Sequence, residues 1–512
     1  MVNLAGYRAV LLPEMQTIRQ STLTLLADFR QAGGEVFYLG EPPARVDGAP
    51  SPLARQGYQD FRPVERETLV ASLEGVVRRV SVTDSEGRQV EPALHLLRKA
   101  EDHQTLFLCN FGTPLGDQMT YPLVRDRRLS WRKVTVAVKA DPGETAYELN
   151  LMTGDLTQVP CRHEAGKLVF QTSLLPLESH LFLFTEKALP AAAPTPPISL
   201  TGESIPLPKT GWRVELDDPN VLVLDHAHGT ADGKSLGTQY ILALDDRIRT
   251  ELLQGRPRGG AMVQPWLRTE KTQEEHAIDL TLEYTFRCHT LPQTPCFLAL
   301  ERPDLYEISL NGQRVERQDS GWWCDLSLRK LPLPLEAFRI GENLLSFRCR
   351  YHLGLPGLEY VYLLGDFGVV DDALTAPVTT LSTGDWCQQG LPHYAGNLIY
   401  THAIDLPLDD KRPCLLSLED WRGVGLAVSV NGSPWKPIHW PPFQVDVTDL
   451  LKNGRNLFSI RVIGHRRNSH GPFYAKDGAW PPWTGPEQFK EYASSQKTLV
   501  PCGLLTPPTL LF

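Results

Sequence analysis

Sixty carboxylates, fourteen imidazoles and nine thiols could support acid–base, metal or nucleophilic chemistry, but their spacing organises none of these. Glycoside hydrolysis needs two carboxylates at a set separation, usually on the strand ends of a large barrel. Here the acids are scattered, without an eightfold βα pattern, and no pair is nominated. His228, His393, His402, His439, His465 and His470 show no H-E-x-x-H or other ligand spacing. Cys109 lies in "FLCNFG" without the Gly-x-nucleophile-x-Gly elbow. Asp366-Phe367-Gly368 has a kinase-like look but lacks the Gly-rich loop, strand Lys and H-R-D loop. The nine cysteines contain no C-x-x-C pair and read as reduced, mostly buried thiols.

Aromatic side chains are the stronger signal. Trp386, Trp421, Trp435, Trp440, Trp480 and Trp483 crowd the C-terminal region, among "GLPHYAGNLIY", "HWPPF" and "GAWPPWTGPEQF". Aromatic faces stack on sugar rings, and short polar groups bond hydroxyls, whereas the same rings also fill cores. Trp386, Tyr394, Asn397, Trp440, Asn468 and His470 are the candidate carbohydrate-binding residues, in Gly/Pro-punctuated segments. The net charge of −9 has no Lys/Arg block, so neither nucleic acid nor an anionic membrane is an expected partner. No signal peptide is visible, and no run reaches the roughly 18 apolar residues of a membrane span. The expectation is a soluble protein that stays where it is made.

The elements that must position these residues are mainly strands. Residues 1–92 open with a β-α-β unit. Tyr7 to Pro13 is a strand, Leu25, Leu26, Phe29 and Ala32 share a helix face, Gly33-Gly34 ends the helix, and Glu35 to Gly40 is a second strand. Residues 64–75 add a helix and Arg78 to Val82 a strand. The period then changes to two, and residues 93–187 read as a small all-β domain. Residues 188–204 are a Pro-rich linker.

A long internal repeat follows. "YTFRCHTLPQTPCFLALE", "YEISLNGQRV" and "GENLLSFRCR" match "YTHAIDLPLDDKRPCLLSLE", "LAVSVNGSPW" and "GRNLFSIRVI" in order. Tyr284/Tyr400, Cys296/Cys414, Asn311/Asn431 and Asn343/Asn456 are the paired residues. Asn-Gly suits a two-residue hairpin turn. Leu345, Phe347 and Cys349, and likewise Phe458, Ile460 and Val462, should face inward. Two tandem antiparallel β-sandwiches are expected, at 205–374 and 375–512.

"GDWCQQGLPHYAGNLIYTHAIDLP", "PPFQVDVTDLLKNGRNLFSIRV" and "RRNSHGPFY" resemble the galactose-binding-like, sugar-binding domain of large bacterial glycoside hydrolases. The segment from Tyr7 to Pro43 resembles the amidotransferase-like domain that follows their catalytic barrel. The whole order resembles the C-terminal part of family 106, the α-L-rhamnosidases. The resemblance implies a multidomain, mainly β chain: a partial α/β amidotransferase-like unit, a small β domain and two galactose-binding-like sandwiches. It also implies a catalytic barrel as partner, upstream or on a separate chain, and no position here matches its glutamates. The expected role is non-catalytic, bracing that barrel and binding carbohydrate; a free-standing carbohydrate-binding or assembly protein is the alternative. No cofactor is expected, although a structural calcium held by backbone carbonyls would leave no side-chain signature. Tyr7 to Pro13 should form an exposed sheet edge.

Overall fold

The computed structural model describes residues 6–114, 125–126, 129–191, 200–257, 276–408, 412–474 and 496–512. The protein is multidomain and mainly β. The described residues up to Ala191 form one compact unit and those from Leu200 another. No helix among them is long and apolar enough to cross a membrane.

The first unit begins with a three-stranded parallel sheet in the order Ala9–Leu12, Glu35–Tyr38, Arg62–Pro63. Ala9–Leu12 is therefore an edge, and Tyr7 and Leu11 beside it are exposed. The helix Gln20–Gln31 crosses between the first two strands. Its end is dictated by Gly33, whose φ of 88° favours glycine. Gly33 N–H donates to Arg30 O and Gly34 N–H to Phe29 O, both at 2.9 Å, which satisfies two terminal carbonyls. Leu23 and Leu26 face the core, while Leu25 is 68% exposed, contrary to the helix face read from the sequence. Adjacent helical residues are about 100° apart, so only one of Leu25 and Leu26 can point at the sheet's centre.

Val80–Thr83 also departs from the boundary expected at residue 92. It pairs antiparallel with Trp131–Lys139 and forms the edge of the next domain's four-stranded sheet. The physical reason lies in its pattern: Val80 and Val82 are buried and alternate with half-buried residues, as antiparallel strands do, whereas a parallel strand is apolar throughout. A second sheet runs Leu156–Val159, Thr145–Leu149, Ser179–Thr185, Gln104–Asn110, Ala93–Lys99. Together they enclose Leu106, Leu108, Val136, Val138, Phe170 and Phe182.

His180 stands out in this domain, buried against Phe182 with its Nδ1 2.6 Å from Glu148 and its Nε2 3.4 Å from Glu178. Burial alone would lower its pKa, but the two carboxylates outweigh burial and raise it to about 9.

The second unit holds two sandwiches. In the first, the sheet Asn220–Leu224, Val361–Gly365, Phe297–Glu301, Asp325–Pro332, Trp322–Trp323 faces a sheet centred on Ile278–Cys288 and Gly341–Tyr351. In the second, a sheet centred on Asn397–Leu406 and Gly454–Ile463 faces the order Ser204–Pro206, Thr509–Leu511, Leu415–Ser417, Gln444–Asp446. Ser204–Pro206 and Trp212–Leu216, N-terminal to the first sandwich, pair within the second. The chain thus lays two strands of the second sandwich, builds the first, and returns at Thr380–Leu381.

The repeat extends to individual hydrogen bonds. Asn311 and Asn431 have φ of 51° and 54°, followed by Gly312 and Gly432 at 86° and 77°. Both central residues of each turn are thus left-handed, as a type I′ hairpin requires. Asn311 Nδ2 donates to Ala337 O and to Asn343 Oδ1, each at 2.8 Å; Asn431 Nδ2 donates to Leu450 O at 2.8 Å and to Asn456 Oδ1 at 2.9 Å. Asn343 and Asn456 are completely buried, and each amide bonds the backbone of the loop before its strand. Leu345, Phe347, Phe458, Ile460 and Val462 are buried as expected, and Cys349 packs partly buried against the same core.

One pairing shifts. Asn343 lies opposite Phe286 and Asn456 opposite Ile404, an offset of 118 between the two facing residues. Tyr400 is therefore the counterpart of Leu282, not of Tyr284. A two-residue slip keeps every side chain on the same face, so the alternation could not reveal it.

Two outcomes follow. Asn343→Ala and Asn456→Ala should each cost about 3 kcal/mol, by unpairing buried polar groups; urea unfolding should give similar values for both. His180 has a raised folded-state pKa, so its stabilisation is complete below the unfolded value of 6.5 and is lost as pH rises through about 9. The wild-type advantage over His180→Gln, on the order of 3 kcal/mol at pH 6, should fade across that window in thermal unfolding.

Candidate functional site

The structure places Trp386 and Tyr394 in the core of the second sandwich, Asn397 at the head of its strand Asn397–Leu406, Asn468 in the short helix Arg467–His470, and His470 in a joint where the two sandwiches of the second unit meet. The turn Trp386–Gln388 is capped by Asp385, whose Oδ1 accepts from Cys387 N and Cys502 N, both at 3.0 Å. Trp386 is completely buried, edge-on to Tyr394 at 5.8 Å. Tyr394 Oη donates to Asn397 O at 2.6 Å and to Asp217 Oδ1 at 3.3 Å. Asn397 donates to Asp217 from its backbone at 2.7 Å and from its side chain. Asn468 is completely buried, donating to Val500 O at 2.7 Å and accepting from Val500 N at 2.9 Å.

His470 reaches into the first sandwich, stacked on Trp323 at 5.5 Å and beside Tyr362 at 5.4 Å. Burial, helped by Arg466, lowers its pKa to about 4 and keeps it neutral. Asp225 serves the same joint. It accepts from Tyr474 Oη at 2.9 Å and lies 3.6 Å from Lys497 Nζ. Burial would raise its pKa, but His226, Lys497 and Tyr474 lower it overall.

Rings buried in this way present no open face to a ligand. Trp440 is different, 38% exposed with its ring 5.2 Å from His439. Trp421 packs on Phe443 and Trp435 lies under Arg461. Trp480 and Trp483 lie outside the described residues.

Among the described residues, an open concavity lies on the first sandwich, a groove of about 430 Å³. Its lining takes in the charged residues Glu301, Arg302, Asp304, Arg317, Asp319 and Arg329, although most of the surface it exposes is apolar. Glu301 ends the strand Phe297–Glu301, and Arg302 turns the chain in the left-handed region at φ 46°. Arg302 Nη2 pairs with Asp304 Oδ2 at 2.8 Å, and Arg329 pairs with Asp319. Arg317 donates from Nε at 3.2 Å and Nη2 at 2.8 Å to Tyr306 O. Leu326 supplies exposed apolar surface, while Leu331 lies beneath it in the core. Trp322, 50% exposed, stands directly across the ladder from Arg329, which puts both side chains on one face of the sheet.

Arg302 holds the Asp304 carboxyl below the usual carboxylate range, and Arg329 does the same for Asp319. Both are therefore ionised hydrogen-bond acceptors at neutral pH. The arrangement can bind a polyhydroxylated ring between acceptors, guanidinium donors and an indole. The sequence reading missed it because tryptophan density marks filled cores. The signal available was "GWWCDLSLRK", where Leu326, Ser327 and Arg329 all line the groove.

No family model and no curated protein matches the chain. Among solved structures, the rhamnosidase from Novosphingobium sp. PP1Y aligns over 97% of this chain and 33% of its own, at 13% identity and a TM-score of 0.40. An exo-carrageenase GH42 from Bacteroides ovatus aligns over 35% of this chain and 22% of its own, at 17% identity and a TM-score of 0.21. An α-L-rhamnosidase of Streptomyces avermitilis aligns over 78% and 37%, at 14% identity and a TM-score of 0.18. The chain thus spans about a third of the length of the first of these.

Asn468→Ala removes both side-chain bonds to Val500. It should accelerate amide hydrogen exchange at Val500 and lower stability by about 2 kcal/mol, with the groove's ligand affinity unchanged.

Proposed function

We propose that this chain is the non-catalytic region of a bacterial glycoside hydrolase resembling the α-L-rhamnosidases of family 106, and that it binds carbohydrate. The observation that carries the reading is the groove on the first sandwich, where ionised acceptors and fixed guanidiniums gather around apolar surface, with the exposed indole of Trp322 across the ladder from Arg329. The sugar-binding-domain resemblance of the second sandwich supports it. There Trp440 keeps a partly open ring, so it is the most accessible of the residues first selected.

The non-catalytic part has its own support. A glycosidase acid must hold its proton near neutral pH, which requires a raised pKa. Glu178, Asp225, Asp304 and Asp319 move the other way, so none of these four is such an acid. A catalytic barrel, preceding this region or on a separate chain, is the partner this reading requires. The exposed parallel edge at Ala9–Leu12 fits a further strand from such a partner.

Titration of the full chain with oligosaccharides, followed by tryptophan fluorescence, should give dissociation constants near millimolar. Trp322→Ala should weaken binding about tenfold, the worth of one aromatic contact. No response at tens of millimolar would remove the sugar-binding reading. Turnover of an aryl rhamnoside that is lost on mutating an acidic residue of this chain would remove the non-catalytic one.

A further inference from the structure

The geometry points to a saccharide bearing a uronate carboxylate as the ligand of this groove, with Arg317 receiving the carboxylate. The inference rests on the reading that the groove binds carbohydrate and names the class.

The three guanidiniums of the groove differ in what they already hold. Arg302 and Arg329 are committed to Asp304 and Asp319. Arg317 lines the same groove, and among the described residues no carboxylate forms an ion pair with it, although its charge adds to the lowering of Asp304 from a distance. Its partner is a neutral carbonyl, Tyr306 O, which takes both Nε and Nη2. Tyr306 is buried, so that carbonyl is fixed by the core. One edge of the guanidinium is thereby pinned, and Nη1 with the second Nη2 hydrogen remains as an end-on fork. A planar two-oxygen anion matches such a fork better than a lone hydroxyl does.

The other walls suit the rest of such a ligand. Glu301 is met by Ser327 Oγ at 3.5 Å, a long contact that leaves its carboxylate able to accept from ring hydroxyls. Leu326 offers apolar surface to a ring face, and Trp322 stands on the sheet face of Arg329. Arg302 holds a φ of 46°, which is uncommon for a long side chain, and it does so at the groove wall.

The test uses the full chain, with digalacturonate and neutral digalactoside as probes, titrated by calorimetry at low and moderate salt. Digalacturonate should bind about tenfold more tightly, and the advantage should shrink as salt rises. Arg317→Gln should abolish that preference, lowering digalacturonate affinity about tenfold more than digalactoside affinity. Arg317→Lys, which keeps the charge without the fork, should retain only part of it. Equal affinity for the two probes, or an equal loss for both in Arg317→Gln, would overturn the uronate assignment and leave the carbohydrate reading standing. Silence from both probes at tens of millimolar would overturn that underlying reading as well.

Discussion

A pair of asparagines fixes each sandwich of the second unit. Asn311 and Asn343 in one, and Asn431 and Asn456 in the other, join a hairpin turn to the start of the long strand that crosses the domain. The buried member of each pair uses both halves of its amide. Its oxygen accepts from the turn asparagine and from a backbone N–H, and its nitrogen donates to two carbonyls. A fully satisfied polar cluster in a dry environment is worth having only in one geometry, so it selects a register as well as adding stability. The strands Ile278–Cys288 and Gly341–Tyr351 pair without interruption, as do Asn397–Leu406 and Gly454–Ile463, and each ladder inherits its start from this clamp.

The route of the chain explains why the two sandwiches are so closely joined. Since Trp212–Leu216 belongs to the second sandwich and Asn220–Leu224 to the first, only a few residues pass between them. Those residues carry the joint. Asp217 bonds Asn397, and Asn220 donates to Phe367 O at 2.7 Å and Gly390 O at 3.0 Å. The aromatic side chains of His470 and Phe473, packed against Trp323, Tyr360 and Tyr362, seal it. Burial of large rings in such a seam excludes water from the polar contacts and strengthens them.

What could be read from the sequence follows from which interactions are local. Asn-Gly turns, the Gly33-Gly34 helix end and inward alternation of Phe458, Ile460 and Val462 depend on short-range sterics and period, and each is visible in a few residues. The choice of Leu23 over Leu25, the assignment of Val80–Thr83 and the two-residue slip at Tyr400 depend on which partner lies opposite. A period cannot report that. The site illustrates the same limit. Trp386, Tyr394 and Asn468 have the composition of a binding loop, yet the core and C-terminal strands of their own sandwich bury them, including Trp212 far away in sequence. The groove residues look like ordinary surface charge until a turn at Arg302 and a strand at Arg329 bring them together.

The groove's ion pairs also bear on why those charges are there. Exposed pairs such as Arg302–Asp304 contribute between nothing and about 1 kcal/mol to stability, so folding alone gives little reason for them. Their consequence is positional. Each pairing restricts two long side chains to one orientation before any ligand arrives, and this reduces the entropy lost on binding. The clamped sandwich beneath supplies a rigid base, because Phe297–Glu301 and Asp325–Pro332 are hydrogen-bonded neighbours in the middle of a five-stranded sheet. On the proposed reading, fixed charged groups around apolar surface on a rigid sheet are a physical route to weak but selective binding of a flexible, hydroxyl-rich ligand.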